Sequence, residues 1–116
     1  MNTEEVYAFC ESLPHAEAAF PFDQINLVFL IGGRIFAHIP LDKPEIIIVK
    51  CDPERAIELR ERYAGINPAW HFNKKHWNQM ELTGSVPTSL IKELIIHSYE
   101  SVISKLPKKI RTQLNL

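Results

Sequence analysis

Leu27-Val28-Phe29-Leu30-Ile31 and Arg34-Ile35-Phe36-Ala37-His38-Ile39 stand on either side of Gly32-Gly33. A tight turn of the primed type needs positive φ at its centre, which glycine adopts without steric penalty, so this stretch reads as a β-hairpin. Ile46-Ile47-Ile48-Val49 reads as a third strand, bounded by Pro40 and Pro44 before it and Asp52-Pro53 after it.

Helices are expected around these strands. Asn2 or Thr3 caps the first, Glu4 and Glu5 occupy its first turn, and Val6, Phe9, Cys10 and Leu13 form one apolar stripe that Pro14 ends. Asp52 caps a second helix with Pro53 in its first position. Ala56, Leu59 and Tyr63 form its buried stripe, Glu58 and Arg62 an i, i+4 ion pair, and Gly65 a left-handed stop. Ala69–Phe72 and Asn78–Leu82 are short strand candidates about a turn at Asn73–His76. A last helix runs from near Pro87 to about Lys105, buried along Ile91, Leu94, Ile95, Ser98, Tyr99, Val102 and Leu106. Pro107 breaks it, and Lys108-Lys109-Ile110-Arg111 begins a basic tail.

Consecutive strands on short turns pair antiparallel. The expectation is one domain over residues 1–116: an α+β two-layer sandwich of order α-βββ-α-ββ-α, its antiparallel sheet carrying the helices on one face. Its 46% hydrophobic and 23% charged residues are those of an ordinary globular domain. Cys10 and Cys51 form neither a disulfide framework nor a metal pattern. No signal peptide is visible, and the longest apolar run, Leu27–Ile31, is too short to span a bilayer. A cytoplasmic setting with no membrane association is expected.

The net charge of −1 excludes a polycation, yet it is unevenly laid down. The first 24 residues carry five acids and no base, a sum of −5, so the rest sums to +4. Part of that surplus falls in Pro68-Ala69-Trp70-His71-Phe72-Asn73-Lys74-Lys75-His76-Trp77-Asn78, which has two Trp, two His, two Lys and no acid.

Within it, His71-Phe72-Asn73-Lys74-Lys75-His76-Trp77 resembles the His-x-Asn-Lys-x-His-Trp signature of the MmcQ/YjbR family. Leu13-Pro14 with Glu17, Phe20-Pro21-Phe22-Asp23, Gly32-Gly33-Arg34-Ile35-Phe36-Ala37 and Ser98-Tyr99 resemble other family segments in the same order. The resemblance spans nearly the whole chain. It implies a small bacterial cytoplasmic α/β domain with secretion-chaperone-like or frataxin-like (CyaY-like) layering. It also implies DNA binding, a role given to members by comparison with a double-wing motif.

Three function classes follow. In a DNA- or RNA-binding protein, Lys74, Lys75 and Arg34 neutralise phosphates, Asn73, His71 and His76 donate to phosphate or base edges, and Trp70 or Trp77 stacks on an unpaired base. Lys105, Lys108, Lys109 and Arg111 extend that path. Against this, Trp70, Phe72 and Trp77 also suit a core, and Asn73 suits a turn. In a protein- or peptide-binding module, the last helix and the Leu27–Ile31 strand offer a groove or edge to a protein partner. Frataxin-like iron binding would use Glu4, Glu5, Glu11 and Glu17, a sparse acidic set. An enzyme is not expected: His71 and His76 lack further metal ligands, and no nucleophile, phosphate loop or carboxylate pair is spaced for catalysis. No metal and no cofactor is expected. Asp23, Glu45 and Asp52 read as turn or cap residues.

Overall fold

In the computed structural model, which describes residues 1–69 and 72–116, Gly32 and Gly33 take φ of 58° and 83° and close the hairpin at its centre. Around it the chain runs α1 (Thr3–Glu11), β1 (Glu17–Ala19), β2 (Asn26–Ile31), β3 (Arg34–Pro40), β4 (Ile46–Lys50), α2 (Pro53–Arg62), β5 (Ile66–Pro68), β6 (Trp77–Glu81), α3 (Thr88–Ser104) and α4 (Lys108–Gln113). The strands form one antiparallel sheet of order β1-β2-β3-β4-β6-β5. The α+β class and antiparallel pairing are as expected from the sequence.

The first helix starts as anticipated: Asn2 Oδ1 accepts from the Glu5 amide at 2.8 Å. Val6 and Cys10 meet Phe29, Phe36, Ile47, Ile91, Ile95 and Tyr99 in the core between sheet and helices. Tyr7, Phe29, Phe36 and Tyr99 pass ring to ring through it, with centroids 5.1, 6.2 and 5.3 Å apart.

Several expectations are corrected. The order gains β1, too short to show an alternating pattern, and α4, a helix where the sequence reads as a basic tail after Pro107. Ile110 of α4 packs with Leu106 against the Gly32 turn, so the tail is held by the hairpin. Strand β5 lies at Ile66–Pro68 rather than Ala69–Phe72, because Asn67 and Pro68 pair with Gln79 and Asn78; Trp70 and His71 lie outside the described residues. Gly65 is not a left-handed cap. The helix ends at an extended Tyr63, and Gly65 is where a Cβ would come within 2.2 Å of Ser85 Oγ. Asp52 precedes the helix without a side-chain cap bond, and Pro53 alone supplies the start signal. Arg62 lies 5.8 Å from the Tyr63 ring centroid, and the pair with Glu58 does not form; among the described residues α2 makes an ion pair through Arg55 with Glu93 at 3.2 Å.

The register of β2 on β3 shifts between Phe29 and Leu30: Phe29 faces Ala37 and Leu30 faces Ile35. Phe36 is thus the extra residue of a bulge, and both Phe36 and Ala37 join the core on the helix side. The opposite face of the sheet carries a second apolar group of Ile46, Ile48, Ala69, Phe72 and Trp77.

Candidate nucleic-acid interface

Three strand ends meet at one end of the sheet. Strand β3 begins at Arg34, β4 ends at Lys50, and β6 begins at Trp77, which is directly opposite Lys50. The last residues of α3 reach the same end. Gly33, Arg34, Ile35, Lys50, Trp77, Val102 and Lys105 line one depression of about 460 Å³. A neighbouring depression of about 350 Å³ shares Lys50 and Lys105 and adds His76, His97, Glu100 and Ser101.

The cations here feel one another. Partial burial, then the like charges of Lys105 and Arg34, push the Lys50 ammonium below its ordinary value. Its backbone is pinned: the Lys50 amide donates to Ser98 Oγ at 2.9 Å. Sequence reasoning missed Lys50, because it closes an apolar run that reads as buried strand. The one available signal was its place at a strand end, opposite the first residue of the signature strand.

The anticipated site residues divide. Arg34, His76 and Trp77 converge, with Lys105 from the anticipated basic path. Lys74 and Lys75 stand exposed in the turn that enters β6. Arg60 of α2 donates to the Lys74 carbonyl and, at 2.6 Å, to Asn78 Oδ1, which ties that turn to the second helix. Asn73 is spent on the turn: its Oδ1 accepts from the Lys75 amide at 3.1 Å, and its carbonyl accepts from His76 and Trp77 at 3.0 Å each. The Cys51 amide donates to the His76 carbonyl at 2.6 Å, which fixes His76 beside β4. His71 lies outside the described residues. Lys108 and Lys109 are exposed on α4.

Trp77 serves two readings at once. It is half-buried, packed on Phe72 with centroids 5.4 Å apart, and it also lines the basic depression. Phe72 in turn meets His38 edge to face at 5.0 Å.

Elsewhere the candidate chemistry is spent on structure. Asp23 Oδ1 accepts from the Ile25 and Asn26 amides at 2.8 and 2.7 Å, and these bonds hold its carboxyl below the ordinary range. Burial pushes the Cys10 thiol up to about 12 and the Cys51 thiol upward, which suppresses the nucleophilic thiolate. Among the described residues no three His, Cys, Asp or Glu side chains gather as a metal site, and no helix is long and apolar enough to cross a membrane.

Comparison with known proteins adds a lineage. The YjbR family model matches residues 11–101. The uncharacterised protein YjbR of Escherichia coli K12 is 30% identical over 112 residues, 96% of this chain and 95% of its own. YbdF of Escherichia coli O157:H7 is 34% identical over 98 residues, 84% of this chain and 80% of its own. The crystal structure of a Deinococcus radiodurans protein superposes with a TM-score of 0.93 at 39% identity, covering 100% of this chain and 90% of that one. A crystal structure of a Pseudomonas syringae protein gives 0.74 at 26% identity, over 87% of this chain and 98% of that one.

Proposed function

We propose, for a chain that belongs to the YjbR family, a non-catalytic role in binding nucleic acid, DNA in the first instance. The observation that carries this reading is the gathering of Arg34, Lys50 and Lys105 around Trp77. Burial first, and then the like charges of Lys105 and Arg34, lower Lys50, and an anion that settles among the three cations relieves the like-charge part. Phosphates of a nucleic-acid backbone are anions of that kind.

Trp77 beside those cations adds a stacking surface, the usual companion of a phosphate track in single-strand binders. Lys74 and Lys75 in the preceding turn, and Lys108 and Lys109 on the helix that packs against the hairpin, lengthen the basic end. A near-neutral total charge is compatible with this, because the acids of the first 24 residues lie apart from it in sequence and only Asp52 and Glu100 line the two depressions. The non-catalytic part rests on the cysteines and on Asp23, whose chemistry is committed to the fold.

The test is fluorescence anisotropy with labelled single-stranded and duplex oligonucleotides at low salt. Binding at micromolar protein is expected, lost in the Arg34→Glu, Lys105→Glu double variant, whose side chains are exposed and leave the core intact. No binding by the wild-type protein overturns the reading.

A peptide-binding role draws on a different observation. Phe20, Phe22, Ile25 and Leu41 are exposed, and Phe22 lines a cavity on the open face of the sheet. Recovery of one protein partner by the wild-type chain, lost in Phe22→Ala and kept in the charge-reversed variant, would favour it.

A further inference from the structure

The open face of the sheet, away from the helices, holds a cavity of about 480 Å³ beside β3 and β4. Its walls are flat and apolar: Phe22, Phe72, Ile46 and Ile48. Phe22 is 68% exposed, a large ring turned to solvent at the mouth. Two side-chain amides, Asn26 and Gln79, stand at the edge, and Asn26 is oriented by donating to Asp23 at 2.7 Å. At the wall lies His38, only 6% exposed, whose Nδ1 has no hydrogen-bond partner among the described residues.

A buried, unsatisfied imidazole nitrogen is costly to keep in an apolar wall, and a base in the cavity would complete its hydrogen bonding only by drawing Nδ1 out to it. The cavity lies in the size range of small-ligand sites, and its few polar groups set within aromatic and aliphatic walls are what a planar heterocycle requires. Rims of both signs, Asp42 and Lys43, favour a ligand ring without net charge.

The cavity and the basic depression share no lining residue but stand close together. Ile48 lines the cavity and Lys50 the basic depression, two residues apart on β4, or about 7 Å along the strand. Phe72 lines the cavity and packs on Trp77, which lines the depression. One nucleotide's sugar and phosphate spans that separation.

We propose that this cavity receives an unpaired nucleobase from a single strand whose phosphates lie against Arg34, Lys50 and Lys105. The proposal rests on the nucleic-acid reading above and narrows it: a base held in a duplex cannot enter the cavity that Phe22 and Phe72 line, so single strands are preferred. Burial holds the His38 imidazole below its ordinary value, so the wall beside the base carries no charge from it at neutral pH.

The experiment compares a labelled oligothymidylate with an abasic strand of equal length, which keeps the phosphates and lacks the bases. The wild-type protein should bind the thymidylate at least about tenfold more tightly. Phe22→Ala and Phe72→Ala should each cut that preference severalfold and leave abasic binding unchanged. The exposed Phe22 gives a variant that retains its circular-dichroism spectrum whatever happens to Phe72→Ala. Equal affinity for the two strands in the wild type, with both lost in Lys50→Gln, overturns the base pocket and leaves the phosphate site standing. A thymidylate preference that survives Phe22→Ala and Phe72→Ala in folded protein also overturns it. Absence of binding to either strand defeats the nucleic-acid reading and the pocket with it.

Discussion

The hydroxyl of Ser98 donates to the Phe36 carbonyl at 2.5 Å. It also accepts from the Lys50 amide at 2.9 Å, so a helix side chain stands between two neighbouring strands just beyond their last pair, Ala37 opposite Val49. Ser98 itself is fully buried. Replacing it by Ala leaves a buried carbonyl and a buried amide unpaired, a loss of about 1–3 kcal/mol. Thermal unfolding of Ser98→Ala should show that loss as a lower Tm. An unchanged Tm would mean that β3 and β4 close their own ladder without the hydroxyl.

The two turn glycines are not equivalent. Both have positive φ, but a Cβ at Gly33 meets nothing within 4 Å, whereas one at Gly32 meets Leu106 Cδ1 at 2.7 Å and Ile110 Cγ2 at 3.1 Å. Gly33→Ala should cost about 1 kcal/mol from the left-handed conformation alone. Gly32→Ala should cost measurably more, because α4 and the end of α3 must give way. Denaturant midpoints of the two variants check the order, and equal midpoints would remove α4 from the hairpin's support.

His38 makes stability depend on pH. Burial lowers its value in the folded state below that of the unfolded chain, and the charge of Asp23 opposes this only in part. Between those two values the unfolded chain holds the extra proton, so stability rises with pH there. The contribution is complete above the ordinary histidine value of about 6.5 and is lost as pH falls through and below it. Asp42, Lys43 and Asp23 are the other ionisable groups around it, and Asp23, held low, exerts its effect only in the acid range. Melting temperatures from pH 7.5 down to 5 should fall more steeply for the wild type than for His38→Phe. Parallel curves would show that the imidazole is not the responsible group.

Much of this was legible in the sequence where one residue type answers one backbone demand. Gly32-Gly33 specified a turn that only positive φ closes. Asn2 specified a cap, and the stripe from Ile91 to Leu106 specified the face of α3. Asp23 read as a turn residue and is one. Strand β1 has three residues, too few for periodicity to register. The α4 helix owes its place to tertiary contact with the hairpin rather than to an apolar stripe of its own. Gly65 failed as a cap because its need is close approach to Ser85 and not a special φ, and the two demands look alike in a sequence.

Of the residues at the candidate site, Arg34, Lys105, His76 and Trp77 were named from the sequence and Lys50 was missed. Lys74 and Lys75 stood out as neighbours in sequence. The cations that meet in space come from β3, β4 and the end of α3, which no local pattern joins. Asn73 read equally as base reader or turn former, and its Oδ1 holds the turn by accepting from the Lys75 amide.

The central claim is that Arg34, Lys50 and Lys105 act together on phosphates. Its most direct test is the salt dependence of affinity for a single strand, measured for the wild type and for Arg34→Gln, Lys50→Gln and Lys105→Gln. Three phosphate contacts predict a slope of log K against log salt of about −2, shallower by about 0.7 in each variant. A flat wild-type slope, or one that all three variants share, would contradict the account.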